Sequence, residues 1–215
     1  MNKGIKYVIA GLVAAGVGLS SYAANIEVIA QAQSNTYLTD ADGNYTPGGW
    51  LLELGTFAST PTDGSSSLAG FSVFGTGVTG NAGGDFNLNI TSSDVGFAHD
   101  QIYLVAFNAA TQGAATEEGI YYVNDASQTK WRFPAATDDP ANTLFDVDAM
   151  FQASATANTA LVSGGHIVFG SAAYDETGPY TELRMATLSP VPEPSSIMLV
   201  VVGLLGMVGL IRRRS

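Results

Sequence analysis

Five groups of residues in this 215-residue chain have types and spacings that bear on chemistry. Gly75-Thr-Gly-Val-Thr-Gly80 has the G-x-G-x-x-G spacing of a loop that cradles a pyrophosphate. Such a loop needs a helix directly after it, because the helix N-terminus holds the anion. Asn81-Ala-Gly-Gly-Asp85 follows instead and disfavours a helix, so the stretch reads as a glycine-rich turn. Asp40-Ala-Asp-Gly-Asn-Tyr45 alternates acids and contains a glycine, as a calcium loop does. A calcium loop also places a bidentate Glu at its twelfth position. Counting from Asp40, that position holds Leu51. The Asp-Gly pair suits a hairpin turn, and no metal site is expected.

Two histidines, His99 and His166, bound any acid–base chemistry. A catalytic triad would set one of them beside a serine and a carboxylate, but no G-x-S-x-G elbow occurs. His166 reads as a strand-end residue after Gly164-Gly165, and His99-Asp100 as a turn. Paired carboxylates could cleave a glycosidic bond at about 5–9 Å separation. The adjacent pairs Glu117-Glu118 and Asp138-Asp139 read as solvated loop charges. Trp50, Trp131, Tyr121, Tyr122 and Tyr174 are candidates for stacking on a sugar, with Trp50 and Trp131 named as the carbohydrate-binding pair. Both tryptophans lie in candidate strands beside apolar partners, so they read first as core residues, with sugar stacking as the alternative. No catalytic residue, cofactor or metal is expected.

Short segments rich in Val, Ile, Phe, Tyr and Thr must position these groups. Candidate strands are 26–32, 50–57, 70–74, 86–91, 101–108, 119–123, 130–133, 166–170 and 180–188. Gly, Asn, Asp and Ser separate them. The run Ile102-Tyr-Leu-Val-Ala-Phe107 is apolar throughout, which predicts a central strand covered on both faces. Nearly even spacing of short strands predicts an all-β fold, a single jelly-roll-like β-sandwich. Leu144, Val147 and Phe151 fit one helical face, and Asp139-Pro140 suits a helix start, so 140–152 is expected to hold a short helix. Residues 60–67 and 76–85 read as surface loops.

There is no cysteine, so disulfides and thiolate sites are excluded. Between Ala24 and Pro190, three basic residues face eighteen acidic ones, a net charge of −15. That balance repels nucleic acid and favours solubility.

The two ends have their own logic. Lys3 and Lys6 precede an uncharged run, and Ser21-Tyr22-Ala23 sets small residues at −3 and −1 of a cut before Ala24. That layout predicts a signal peptide over 1–23 and an exported domain over 24–190. From Ser195 to Ile211 the chain is uncharged. As a transmembrane helix this stretch would reach about 25 Å, enough for a short span. Arg212, Arg213 and Arg214 follow and would stay cytoplasmic, which leaves the domain outside the inner membrane. Pro192 and Pro194 hold the residues before them extended.

Val191-Pro192-Glu193-Pro194-Ser195, a short apolar stretch and an arginine cluster together resemble the PEP-CTERM sorting signal over 191–215. The resemblance implies recognition by an exosortase, a membrane enzyme that processes the parent chain. Delivery is then to the cell envelope or extracellular matrix, with exopolysaccharide as a further partner. The segments Gly49–Phe57, Gln101–Phe107 and Lys130–Pro134 also resemble pieces of PEP-CTERM proteins. They imply no activity.

Overall fold

The computed structural model describes residues 25–33, 35–80, 83–123, 132–138, 142–147, 151, 165–175 and 180–189. The expected signal peptide with Ala23 and Ala24, the sorting segment from Val191 to Ser195, Arg212 to Arg214, and Trp131 all lie outside these residues.

The fold is all-β. Twelve strands are described: β1 (Ile26–Ala32), β2 (Thr36–Thr39), β3 (Leu51–Phe57), β4 (Phe71–Val78), β5 (Phe86–Ser92), β6 (Tyr103–Phe107), β7 (Glu117–Val123), β8 (Asn142–Asp146), β9 (Gly165–Phe169), β10 (Ser171–Asp175), β11 (Tyr180–Arg184) and β12 (Ala186–Thr187). They form three open sheets. Sheet I has the order β5-β1-β8, and sheet II the order β10-β11-β2. Sheet III has six strands, ordered β12-β7-β6-β3-β4, with β9 also on β7. Pairing is antiparallel except for β1 with β8 and β2 with β11.

Alternation in β1 explains its place. Ile26, Val28, Ala30 and Ala32 are fully buried, while Glu27, Ile29 and Gln31 between them are not. Successive side chains of a strand point to opposite faces, so one face of β1 joins the main core. That core also takes Leu52, Leu54 and Leu104 from sheet III and Leu38 and Leu183 from sheet II. A second cluster lies on the other face of sheet III. It includes Tyr103, Val105, Phe107 and Ile120, with Leu68 and Phe71 packed on it. Strand β6 therefore serves both clusters, and all five of its residues are buried. Its uninterrupted apolar run is the sequence of a central, doubly covered strand, as expected.

Several segments differ from the sequence reading. Within the segment 140–152, where a helix is expected, residues 142–146 instead form β8, parallel to β1, and Val147 after it is helical; 140–141, 148–150 and 152 lie outside the described residues. Val147 and Phe151 are fully buried, but Leu144 is exposed, so the three do not share a face. One helical hydrogen bond, from the Phe151 N–H to the Val147 carbonyl, follows the strand. Pairing with β1 outweighed a weak three-residue period. The strand expected over 130–133 is reduced, among the described residues, to a bridge between Arg132 and Gln101. Residues 76–78, read as loop, continue β4.

Candidate functional site

The glycine motif is not a turn. Gly75 and Gly77 lie within β4 and face β5. A Cβ on Gly75 would stand 2.3 Å from Ile90 Cγ2, and one on Gly77 would stand 2.2 Å from Leu88 Cδ2. The missing side chains let β4 of sheet III close onto β5 of sheet I. The spacing two apart is the strand period, so both gaps open on one face.

The Asp40–Tyr45 stretch is a hairpin turn, as expected. Asp40 Oδ1 accepts from the N–H groups of Asp42 (3.0 Å) and Asn44 (2.8 Å), and Oδ2 accepts from Asn44 Nδ2 (2.9 Å). Slight burial raises the Asp40 pKa, but bonds from the Asn44 side chain and from the Asn44, Asp42 and Gly43 backbones outweigh it, and the net shift is downward. Gly43 takes φ +86°, a conformation glycine adopts without a steric penalty. The carboxylate is thus engaged by its own turn. Among the described residues no group of three or more His, Asp or Glu side chains could hold a metal ion.

His166 opens β9 and meets Asp63, with Nε2 2.8 Å from Asp63 Oδ1. The Gly64 N–H donates to the Val168 carbonyl at 2.6 Å. Together these contacts fasten the loop between β3 and β4 over the second core cluster. His99, in the turn before β6, has φ +67°, and its carbonyl accepts from Arg132 Nη1 at 3.0 Å.

Trp50 is half-buried against the main core, which fits a core residue better than a stacking platform. Tyr121 is fully buried. A different aromatic group reaches solvent. Tyr37 meets Tyr45 at 5.5 Å and Tyr180 at 5.4 Å, edge to face in both pairs. That geometry is the preferred packing of aromatic pairs.

Glu117-Glu118 is not a solvated loop pair. Both residues open β7, and Glu118 is 3% exposed. Its Oε1 is buried without a hydrogen-bond partner. Burial, and next the charge of Glu53, push Glu118 up to about 7.

An open cleft of about 580 Å³ lies at the end of sheet III where β3 stops and β4 starts. Thr56, Phe57, Ser72, Val73, Asp94 and Asp100 are among its lining residues. Asp94 and Asp100 are exposed, and Asp94 Oδ1 accepts from the Gly96 N–H at 2.8 Å. The cleft offers hydroxyl and carboxylate acceptors beside apolar surface. Nothing in the linear sequence signals it, because its lining is drawn from β3, β4 and the turn before β6.

Comparison with known proteins bears on the segment beyond these strands. No curated protein and no solved structure matches the chain. Residues 190–214 match the family model of the PEP-CTERM protein-sorting motif. That motif implies an exosortase-targeted chain, exported as a membrane-anchored precursor. By this match, on the residues whose Pro-Glu-Pro, apolar stretch and arginines resemble the signal, the chain is a PEP-CTERM domain-containing protein.

Proposed function

We propose that this is an exported bacterial protein of the cell envelope or extracellular matrix, processed by an exosortase and without catalytic activity of its own. The match over residues 190–214 carries the reading. In it, residues 1–23 are a signal peptide cut between Ala23 and Ala24, and residues 24–190 are the exported domain. Val191 to Ser195 is the recognition element, the uncharged stretch Ser195 to Ile211 anchors the precursor, and Arg212 to Arg214 stop transfer. The domain is a sandwich-like packing of sheets I and II on one face of sheet III. The main core shared by residues of all three sheets supports this layering.

The test uses full-length protein in a host with its own exosortase. Replacing Pro192, Glu193 and Pro194 by alanine leaves insertion intact but blocks maturation, so the precursor accumulates in the inner membrane. Unchanged size and distribution on an immunoblot of fractionated cells would refute the reading.

A second reading is carbohydrate binding, with exopolysaccharide as the partner. The open cleft favours it. Ligand clefts commonly span about 300–1,000 Å³, and the carboxylates of Asp94 and Asp100 can accept hydrogen bonds from sugar hydroxyls. Trp50 does not line this cleft. Glycan-array binding that Asp100→Ala abolishes would support this reading, and an array without binding would remove it.

A further inference from the structure

Sheet III has one end at which β3 begins, β4 ends, β6 ends, β7 begins and β12 ends, as the registers Leu51↔Val78, Leu52↔Ala106, Phe107↔Glu118 and Thr187↔Glu117 require. The chain leaves the domain there. The Leu188 N–H donates to the Thr116 carbonyl at 2.8 Å, and the matched sorting motif starts at residue 190. An extended chain spans at most ~3.6 Å per residue, so Pro192 lies no more than about 14 Å from Leu188. Any enzyme gripping Pro192-Glu193-Pro194 must come that close to the β6–β7 loop.

That loop is built to hold its shape. Asn108 Oδ1 accepts from the N–H groups of Thr116 (2.8 Å) and Glu117 (2.9 Å), and Asn108 Nδ2 donates to Thr116 Oγ1 (2.9 Å). The Leu51 N–H donates to the Ala109 carbonyl at 2.8 Å. Between these pins, Ala110-Thr-Gln-Gly-Ala114 is exposed, small and uncharged. An uncharged patch is notable on a domain of net charge −15.

The electrostatics decide between a lipid and a protein partner. Contact with anionic lipid needs basic side chains near the surface. Among the described residues these are Arg132 and Arg184. Arg132 pairs with Gln101 beyond the opposite end of β6, and Arg184 is held by Glu182 at 2.8 and 2.5 Å. Glu117 lies beside the loop with Oε2 accepting from the Ala41 N–H, and Asp40 and Asp42 flank Ala41. This end therefore carries negative charge and an uncharged, rigid loop, which suits a protein surface.

We infer that the loop Ala109–Thr116 is the contact surface of the folded domain for the membrane-embedded sorting enzyme. The inference rests on the sorting reading above. The test uses full-length chain in its native host, with conversion of precursor followed by pulse–chase. One variant carries Thr111→Glu, Gln112→Glu and Ala114→Glu, and a milder one Gln112→Glu alone. Each is made with native spacing and with a twelve-residue Gly/Ser spacer after Ser189.

Burying unpaired charge in an uncharged contact opposes binding, so the triple variant at native spacing should convert at least about fivefold more slowly and the single variant by less. With the spacer, both should convert at the rate of the spacer-only chain. Wild-type rates for the triple variant at native spacing would overturn the inference, and so would slowing that the spacer does not relieve. If the alanine variant of Pro192, Glu193 and Pro194 converts like wild type, the sorting reading itself fails. If that variant is blocked while the loop variants are neutral, only the contact surface fails.

Discussion

Glu118 and Glu53 share one face of the six-stranded sheet, with β6 between them. The registers Glu53↔Val105 and Val105↔Ile120 put Glu53 and Ile120 on one side, and Glu118 is two residues from Ile120. Burial raises both carboxyls, and Glu53 adds a like charge that helps push Glu118 up to about 7. Glu118 thus lies near the exit of the chain, since its register partner on β12 is Ala186.

The sign of the pH dependence follows. A carboxyl whose folded pKa is raised favours folding fully below its ordinary value and loses that advantage as pH rises through the folded value. For Glu118 the window runs from the usual 4.5 to about 7. At ~1.4 kcal/mol per unit, the loss is on the order of 3–4 kcal/mol. Glu118→Gln should match wild type in thermal stability near pH 4 and exceed it by several degrees at pH 8. Equal melting temperatures at both pH values would refute this.

Gly77→Ala places a methyl group against Leu88 Cδ2. Overpacking of this kind costs about 1–3 kcal/mol. The leucine is the flexible partner, so Leu88→Ala in the same chain should recover part of the loss. Urea unfolding of the two single variants and the double variant measures the coupling. Strict additivity would show that the two positions do not meet.

Calcium should not stabilise the Asp40 turn, because both carboxylate oxygens are already engaged. The melting temperature should differ by less than about 1 °C between excess calcium and chelator, whereas a saturating ligand adds about 2.7 kcal/mol at a hundred times its Kd. Asp40→Ala should cost about 1–2 kcal/mol by removing charge-assisted bonds. The lowered Asp40 pKa makes this contribution present above the ordinary carboxylate range and lost as pH falls through the folded value.

The Asp63–His166 contact is too exposed to contribute much global stability. Its effect should be local. Asp63→Asn should speed limited proteolysis within residues 58–70 while leaving the unfolding midpoint nearly unchanged. Identical cleavage rates would show that the Gly64–Val168 bond alone holds the loop.

The strands that could be read from sequence are those whose side chains report their surroundings. In β1 the alternation of Ile26, Val28 and Ala30 states which face is covered, and in β6 the unbroken run states that both are. Strands β2 and β10 had no such pattern, since Thr36-Tyr-Leu-Thr39 and Ser171-Ala-Ala-Tyr-Asp175 are short and mixed. Strand β8 was hidden by a helical spacing of Leu144, Val147 and Phe151, which pairing with β1 overrode at Leu144 but not at Val147. Gly75 and Gly77 read as a turn because their partners, Ile90 and Leu88, come from another sheet. Glu118 read as a loop charge because nothing near it in sequence shows that β6, β9 and β12 surround β7. The sorting segment was legible because its signal is linear: two prolines, an uncharged stretch and three arginines act in chain order, without a fold to assemble them.

The two parallel pairings set an order of events during export. A chain crossing a membrane N-terminus first presents Ile26 to Thr39 early. Yet β1 lacks its β8 neighbour until residue 146 has crossed, and β2 lacks β11 until Arg184 has crossed. Contacts of such long sequence separation also form slowly. Sheet II therefore closes only when Arg184 is outside, six residues before the matched motif begins. The fold can therefore be complete no earlier than shortly before the sorting segment reaches the membrane, which leaves little interval between assembly of the domain and its presentation for processing.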